Sequence, residues 1–238
     1  MNQEMRRNCP TMSSLKVVQA QMRDCRICLD AGHDIVPGGI FSGEASARLM
    51  LIGQAPGVTE VEAQRPFNAS SGRRLFQWLA EAGWEEDAFR ARHYMTAVTK
   101  CYPGKASNGK GDRVPSRAEQ KLCRPYLEAE IRLVNPRVIM PVGGLAIRLF
   151  WPSKVTLAQV IGRAAYFPPE YLHDPVNFKL KQAEILDRFD STKPKAGRWV
   201  VPIPHPSGAS LWPNKPANQA KISRAMEILG ELRLAMEL

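Results

Sequence analysis

The apolar residues of this chain are concentrated in four short runs that are hydrophobic at successive positions. The runs are RLMLIG (48–53), HYMTAVTK (93–100), RVIMPVG (137–143) and RWVVPIP (198–204). A strand with one solvent-facing side alternates apolar and polar residues, whereas continuous runs are typical of parallel strands that helices cover on both faces. We therefore predict four buried, parallel strands.

Helical patterns lie between these runs. Residues 70–83 (SSGRRLFQWLAEAG) start at serine and stop at glycine, as helices commonly do. Residues 116–136 open with Ser116 and carry Glu119 three positions later, which is a capping box, and they end before a proline. The residues of the first helix predicted to face inward are Leu75, Phe76, Trp78 and Leu79.

The alternation of strands and helices predicts an α/β fold, a three-layer α/β/α sandwich with a central four-stranded parallel sheet. Ligands of such folds bind beyond the carboxyl ends of the strands. At 238 residues the chain suits one domain, 1–238. We expect a basic N-terminal arm at 1–24 and an insertion at about 152–197, where prolines, aromatic residues and charges are mixed.

Charge narrows the class of partner. Lysine and arginine number 33 against 23 aspartates and glutamates, a net charge of +10 with a pI near 9.6, which favours polyanionic partners. A basic but inert surface is the alternative. No apolar run approaches the roughly 20 residues of a membrane span, and the N-terminus lacks the apolar segment of a secretion signal. We expect a cytoplasmic monomer that contacts no membrane.

The cysteines form a second pattern. Cys25 and Cys28 make a C-x-x-C pair, Cys101 follows the second strand, Cys123 lies on the next predicted helix, and Cys9 is left over. A reducing compartment favours metal binding or catalysis over disulfides. Four thiolates suit tetrahedral zinc or an iron–sulfur cluster. The alternative is that Cys101 and Cys123 are small core residues.

Three motifs together carry a family resemblance. GQAPGVTEV and QRPFNASSG follow the first strand, AVTKC (97–101) and CRPYL (123–127) flank a proline-containing loop, and HPS follows the fourth strand. In these motifs the chain resembles the uracil-DNA glycosylase superfamily, in particular its bacterial and archaeal iron–sulfur branch. The resemblance implies a structural [4Fe-4S] cluster on Cys25, Cys28, Cys101 and Cys123, with zinc as the alternative metal.

The resemblance also implies a pocket for a base that has been turned out of the DNA stack. His205 would donate to the base carbonyl as negative charge develops on the leaving base. Phe67 would form the floor on which the base stacks, and the turn at Gly53 and Ala55 would bring backbone amides close to it. Glu60 would serve as base or as electrostatic partner of the cationic sugar.

Two positions depart from the family pattern. Gln54 stands where the iron–sulfur enzymes usually have Glu, and glutamine orients water without accepting its proton. Ala97 stands where many relatives have an asparagine that reads the uracil edge. Asn68 is a candidate replacement amide. Narrow specificity for uracil is therefore not expected from these positions.

DNA contacts are predicted on two loops. Leu211 and Trp212 lie where relatives push an apolar wedge into the gap left by the extruded nucleotide, although Trp212 would equally suit a cover for the sheet edge. Ser207 belongs to the same loop. The phosphates would be contacted by Lys105, Lys110 and Arg113.

These residues predict a monofunctional DNA glycosylase, a hydrolase of DNA repair that flips out and excises uracil, and other deaminated bases, leaving an abasic site. The alternative is a non-catalytic or weakly catalytic protein that binds damaged, abasic or single-stranded DNA with the same pocket. A small-nucleotide hydrolase that uses the glycine-rich turn for phosphate lacks the lysine or acidic cluster which that chemistry normally needs.

Overall fold

A computed structural model of the protein describes residues 14–107, 109, 111–152, 154–174, 176, 178–208 and 211–238. These residues form a mixed α/β fold in which helices flank one six-stranded sheet. The strands are β1 (Leu49–Gly53), β2 (Tyr94–Ala97), β3 (Val138–Pro141), β4 (Ala164–Phe167), β5 (Glu184–Leu186) and β6 (Arg198–Val200).

The sheet order is β2-β1-β3-β6-β4-β5. Strands β2, β1, β3 and β6 are parallel neighbours, and every one of their residues is buried. These are the four predicted runs, shortened by one to four residues at their ends. The α/β prediction and its parallel four-stranded centre are confirmed. The strands are buried at every position because helices on both faces of the sheet exclude water from them.

The helices are α1 (Leu15–Arg23), α2 (Ile27–Asp30), α3 (Val58–Ala63), α4 (Ser70–Glu81), α5 (Glu86–Arg92), α6 (Arg117–Val134), α7 (Gly144–Ile147), α8 (Leu157–Val160) and α9 (Pro216–Met236). The two predicted helices are α4 and α6. The four apolar residues predicted to face inward on α4 are all buried. The capping box of α6 is formed: Glu119 N–H donates to Ser116 Oγ at 3.2 Å, and Ser116 N–H donates to Glu119 Oε2 at 2.6 Å.

The segment 152–197 adds two strands that the hydrophobic pattern did not predict. Strand β4 pairs antiparallel with β6, and β5 pairs antiparallel with β4 at the edge of the sheet. The run AAYF of β4 is short and lies among prolines and charges, while Glu184 and Ile185 of β5 are exposed. Neither strand has the long apolar run that identified the other four.

The described part of the N-terminal arm is a helix packed on the body of the protein. Val18 and Met22 of α1 form a small apolar cluster with Phe41 and with Cys123 and Tyr126 of α6. Residues 1–13, which include Cys9, lie outside the described residues. Among the helices of the described chain, none has the length and apolar character needed to cross a bilayer.

The carboxyl ends of the parallel strands all open onto one edge of the sheet, and the predicted ligand-binding loops follow them. Beyond β3 and β6 the pairing continues through a parallel bridge between Val142 and Ile203. The amide of Gly143 then donates to the carbonyl of Ile203 at 2.9 Å. This extension brings the loops that carry Gly143 and His205 together.

Candidate functional site

A cavity of about 580 Å³ opens at this edge of the sheet. Its volume falls within the roughly 300–1,000 Å³ of typical small-molecule sites. Loops from distant parts of the chain enclose it. Of the residues predicted for the site, those lining the cavity are Gly53, Gln54, Ala55, Glu60, Phe67, Ala97, Arg113, His205 and Ser207.

The turn after β1 holds an aromatic ring against bare backbone. A Cβ placed on Gly53 would lie 3.0 Å from Cζ of Phe67, so glycine lets the ring rest directly on the end of the strand. Phe67 has a backbone φ of 53°, in the left-handed region. The predicted floor and the predicted turn therefore meet at one wall of the cavity.

Glu60 lies on α3 with its carboxylate turned back to the start of that helix. Its Oε2 accepts from the amide of Gly57 at 2.6 Å, and a Cβ on Gly57 would also come within 2.9 Å of Asp112 Oδ2. Burial, with a smaller effect of the neighbouring Asp112 charge, raises the pKa of Glu60 above its ordinary 4.5, although the Gly57 amide opposes this. A carboxylate of raised pKa at the cavity wall is suited to accept a proton.

His205 reaches the cavity across Gly143. Its Cβ and Cδ2 each lie 3.1 Å from the place of a Cβ on Gly143, whose φ of 83° is also unfavourable for other residues. The amide of Ser207 donates to His205 Nδ1 at 3.2 Å. Since Nδ1 accepts this bond, the proton of the neutral ring is on Nε2. Burial lowers the pKa of His205 below its ordinary 6.5, which favours this neutral donor form.

The positions predicted to read the base are mostly apolar or occupied. Ala97 lines the cavity but carries no polar side chain, and the hydroxyl of Thr96 beside it is held by Lys100 and Glu130. Gln54 lines the cavity. Asn68 is exposed and is not among the lining residues.

The four cysteines predicted as metal ligands converge on a second cavity, which all of them line. They are free thiols in the described structure. Cys25 comes from the segment that connects α1 to α2, Cys28 from α2 itself, Cys101 from the loop after β2, and Cys123 from α6. Segments far apart in the chain thus meet at a set of sulfur donors.

The thiols influence one another. Burial, with a smaller contribution from nearby cysteine sulfurs, raises the pKa of Cys28 to about 11 and that of Cys101 to about 12. A bound cation would offset the cost of deprotonating them. Within the described residues, no three His, Cys, Asp or Glu side chains are grouped closely enough to hold a single metal ion.

The residues predicted to contact phosphates differ in whether the structure already pairs their charged groups. Arg113 forms a bidentate ion pair with Glu119, at 2.7 and 2.6 Å, and donates to the carbonyl of Asp34 at 2.9 Å. Its guanidinium would have to leave this pair to reach a phosphate. Lys105 is exposed on a turn that bridges back to Asp112. Lys110 lies outside the described residues.

The two residues predicted as a wedge differ in their exposure to solvent. Leu211 is 73% exposed, the orientation that a wedge needs. Trp212 instead packs against the main core, and its carbonyl accepts from Asn218 Nδ2 at 2.8 Å. Trp212 is thus a partly buried residue in contact with the core, and its part in a wedge stays a prediction.

Several residues around the cavity were not predicted. Ser70 and Ser71, in the first turn of α4, line it together with Asp112, whose Oδ1 accepts from Tyr102 at 3.0 Å. Arg90 contacts the wall from behind, through the carbonyl of Phe67. Ser70 carries a sequence signal only as a helix start, and Arg90 carries none, because its partners lie 23 and 24 residues away.

Comparison with known proteins identifies the family. The family model described as the uracil DNA glycosylase superfamily matches residues 41–230. The chain belongs to the uracil DNA glycosylase superfamily. The matched region contains the turn after β1, both cysteines of the β2–α6 segment and His205, whereas Cys25 and Cys28 precede it.

Curated relatives within the superfamily are type-4 uracil-DNA glycosylases. The protein of Pyrobaculum aerophilum is 33% identical over 130 residues, 55% of this chain and 56% of that protein. The protein of Thermotoga maritima is 29% identical over 150 residues, 62% of this chain and 72% of that protein. The protein of Archaeoglobus fulgidus is 28% identical over 158 residues, 64% and 73% of the two chains. The chain thus spans little more than half of the Pyrobaculum relative.

Proposed function

We propose that this protein is a monofunctional DNA glycosylase that binds an extruded uracil and hydrolyses its N-glycosidic bond, leaving an abasic site. The supporting observation is that Gly53, Phe67 and His205 line a single cavity. An aromatic surface and a histidine donor are thus available to the same bound base. The names of the type-4 relatives support uracil as the substrate.

In this proposal His205 stabilises the leaving base. As the glycosidic bond breaks, negative charge moves onto the uracil and its carbonyl oxygens. The neutral imidazole donates from Nε2 to one of these oxygens, while the Ser207 amide fixes the ring through Nδ1. A donor placed in this way in a site shielded from water is worth about 3 kcal/mol in the transition state.

Glu60 is the proposed group that activates water. Gln54 cannot accept a proton, whereas Glu60 is a carboxylate in the same cavity with a pKa above its ordinary value. The Gly57 amide, which donates to Oε2, holds this carboxylate at the cavity wall. The carboxylate also stabilises the positive sugar electrostatically.

We further propose that Cys25, Cys28, Cys101 and Cys123 hold a [4Fe-4S] cluster. The supporting observation is that these four free thiols, which come from three separate parts of the chain, line one cavity. Four thiolates suit an iron–sulfur cluster, with zinc as the alternative metal. When bound, the cluster would supply structural crosslinking of three chain segments.

The excision itself is tested with an oligonucleotide that contains one uracil. The protein is incubated with single-stranded and duplex forms, and abasic sites are converted to strand breaks with alkali. His205→Ala should lower the single-turnover rate about 100-fold to 1,000-fold because the leaving base loses its donor. His173→Ala, at an exposed histidine, is the control and should keep the full rate. Equal rates for His205→Ala and the unsubstituted protein would remove His205 from the mechanism.

The water-activating role has its own test. Glu60→Gln should lower the rate about 100-fold, since general bases contribute roughly 10²–10⁴. Because Glu60 must be ionised to act, the rate of the unsubstituted protein should fall as the pH falls through the raised pKa of this group, and Glu60→Gln should lack that decline. The control is Glu62→Gln, at an exposed glutamate on the same helix. If Glu60→Gln keeps both the rate and its pH dependence, another group activates the water.

Binding without turnover is the second candidate, and Ala97 is the observation that favours it, because this wall of the cavity offers no side chain to read the base. Tight binding of uracil-containing DNA with no strand breaks above the His205→Ala background would support it. Measurable excision by the unsubstituted protein would reject it.

A further inference from the structure

The backbone of Phe67 adopts a conformation that an aromatic residue rarely takes by itself. Its φ is 53°, where the Cβ of any residue other than glycine is crowded. The ring rests on Gly53 at the cavity wall. Something in the surrounding structure must therefore hold this peptide in place.

Arg90 supplies two hydrogen bonds to this segment. Its Nη1 donates to the carbonyl of Pro66 at 2.8 Å, and its Nη2 donates to the carbonyl of Phe67 at 2.9 Å. The planar guanidinium presents these donors in a fixed geometry, so the two successive carbonyls are held in one orientation. Lysine, a single point charge, does not match this pattern.

The Arg90 guanidinium is itself held in place by two further contacts. Arg90 Nε donates to Glu86 Oε1 at 2.8 Å, one turn earlier on α5, and its Cζ lies 4.4 Å from the centre of the Phe76 ring. The side chain is only 11% exposed. These contacts leave Arg90 little freedom, so it can impose a conformation on Phe67.

Gly72 of α4 lets the helix backbone pack closely against the same peptide. A Cβ at this position would overlap the carbonyl oxygen of Phe67. The helix backbone thus approaches the carbonyl that Arg90 holds, and the peptide is confined between the two.

We propose that Arg90 is a positioning residue of the base site, which acts by locking the peptide of Phe67 so that the ring presents a fixed stacking surface to the extruded base. The inference rests on the proposed function. Arg90 is not among the residues lining the cavity, and it acts through Phe67. Losing the lock should therefore impair the step after DNA binding, while DNA affinity, which depends mainly on phosphate contacts, is preserved.

The test compares Arg90→Gln and Arg90→Lys with a matched control, Arg65→Gln. Arg65 pairs with the same Glu86, at 3.6 Å, but it is exposed, and within the described structure its side chain forms no hydrogen bond to Phe67. Single-turnover excision should fall about tenfold in both Arg90 variants with little change in the Kd for DNA, and the control should retain both values. An equal loss in Arg65→Gln would assign the effect to the Glu86 ion pair and overturn the proposal.

A second measurement is independent of catalysis. 4-Fluorophenylalanine at position 67 gives a ¹⁹F resonance that reports the ring even if the protein excises no uracil. Arg90→Gln should shift or broaden this resonance while the far-UV circular dichroism stays unchanged, and Gly72→Ala, which disturbs the same carbonyl, should do likewise. An unchanged resonance in a folded Arg90→Gln variant would overturn the proposal, whatever the outcome for the proposed function.

Discussion

At the scale of single residues, two glycines shape the base cavity because each leaves space that a side chain from another part of the chain fills. Glycine at position 53 lets the Phe67 ring reach the end of β1, and glycine at position 143 lets the His205 side chain pack directly against the backbone that follows β3. A glycine-rich turn is visible in the sequence, but the partner that occupies the free space is not. The partners here lie 14 and 62 residues further along the chain, and only folding brings them into contact.

A buried histidine outside the cavity allows a prediction on acid stability. His93 is 2% exposed, packs against Trp84 and Phe89, and has no hydrogen-bond partner on either ring nitrogen in the described structure. Burial lowers its pKa from 6.5 to about 4. The unfolded chain therefore binds the proton first as the pH falls, so folding stability is complete above pH 6.5 and declines towards pH 4.

His93→Phe should abolish this contribution, which amounts to about 3 kcal/mol over that interval. The free energy of unfolding is measured in urea at several pH values for both proteins. His173→Phe, at an exposed histidine, is the control and should keep the pH slope of the unsubstituted protein. A parallel pH dependence in His93→Phe would show that His93 is not the group that titrates.

At the scale of elements, one buried face of α6 carries side chains that line the thiol cavity and hold residues of the neighbouring loop. Glu119, Cys123 and Glu130 are spaced by four and seven residues, so they share one face of the helix, and all three are buried. Glu119 holds Arg113, Cys123 lines the thiol cavity, and Glu130 holds Lys100 from the loop after β2. The capping box and length of α6 followed from the sequence. The ionic partners of α6 could not be predicted, because charged residues of both signs are too common along the chain for a sequence pattern to show which of them pair.

The pair of Lys100 and Glu130 should be a strong determinant of stability. The two side chains are 2% and 0% exposed and lie 2.6 Å apart, and the ammonium group also donates to Ala97 O at 2.5 Å. Lys100→Met should therefore cost about 3–5 kcal/mol, because it leaves a buried carboxylate without its partner.

The free energy of unfolding in denaturant measures this cost. Arg124→Met is the matched control: it breaks an ion pair with Glu128 that is similarly short, at 2.8 Å, but partly exposed on the same helix, and it should cost less than about 1 kcal/mol. Replacing Lys100 and Glu130 together with methionine should restore much of the loss. If the effects of the two single substitutions simply add in the double variant, the two groups do not depend on each other.

At the scale of the whole molecule, the thiol cavity and the base cavity are neighbours. Pro103, on the loop after β2, lines both of them. The same loop carries Cys101 at one end and Arg113 near the other. A group that binds the four thiols would therefore fix one wall of the base cavity as well as the N-terminal helices.

Cys123→Ser should remove most of the visible absorbance expected of an iron–sulfur cluster, and it should lower the melting temperature by about 3 °C or more, the shift that a loss of 1 kcal/mol causes in a domain of this size. Cys9→Ser is the matched control, since Cys9 is outside the predicted ligand set, and both properties should stay unchanged. Absorbance and thermal unfolding are followed on the same anaerobic preparation. A colourless unsubstituted protein that contains zinc would show that the cluster assignment is wrong.

The sequence by itself determined the four parallel strands at the centre of the sheet and the approximate limits of α4 and α6, because apolar runs, helical spacing and caps are local properties of the chain. It also predicted the turn after β1 and the cysteine pattern. Only the tertiary structure decided that Arg113 is paired with Glu119, that Trp212 packs against the core and that Arg90 holds Phe67. These outcomes depend on side chains from separate segments competing for the same partners, and that competition exists only once the chain is folded.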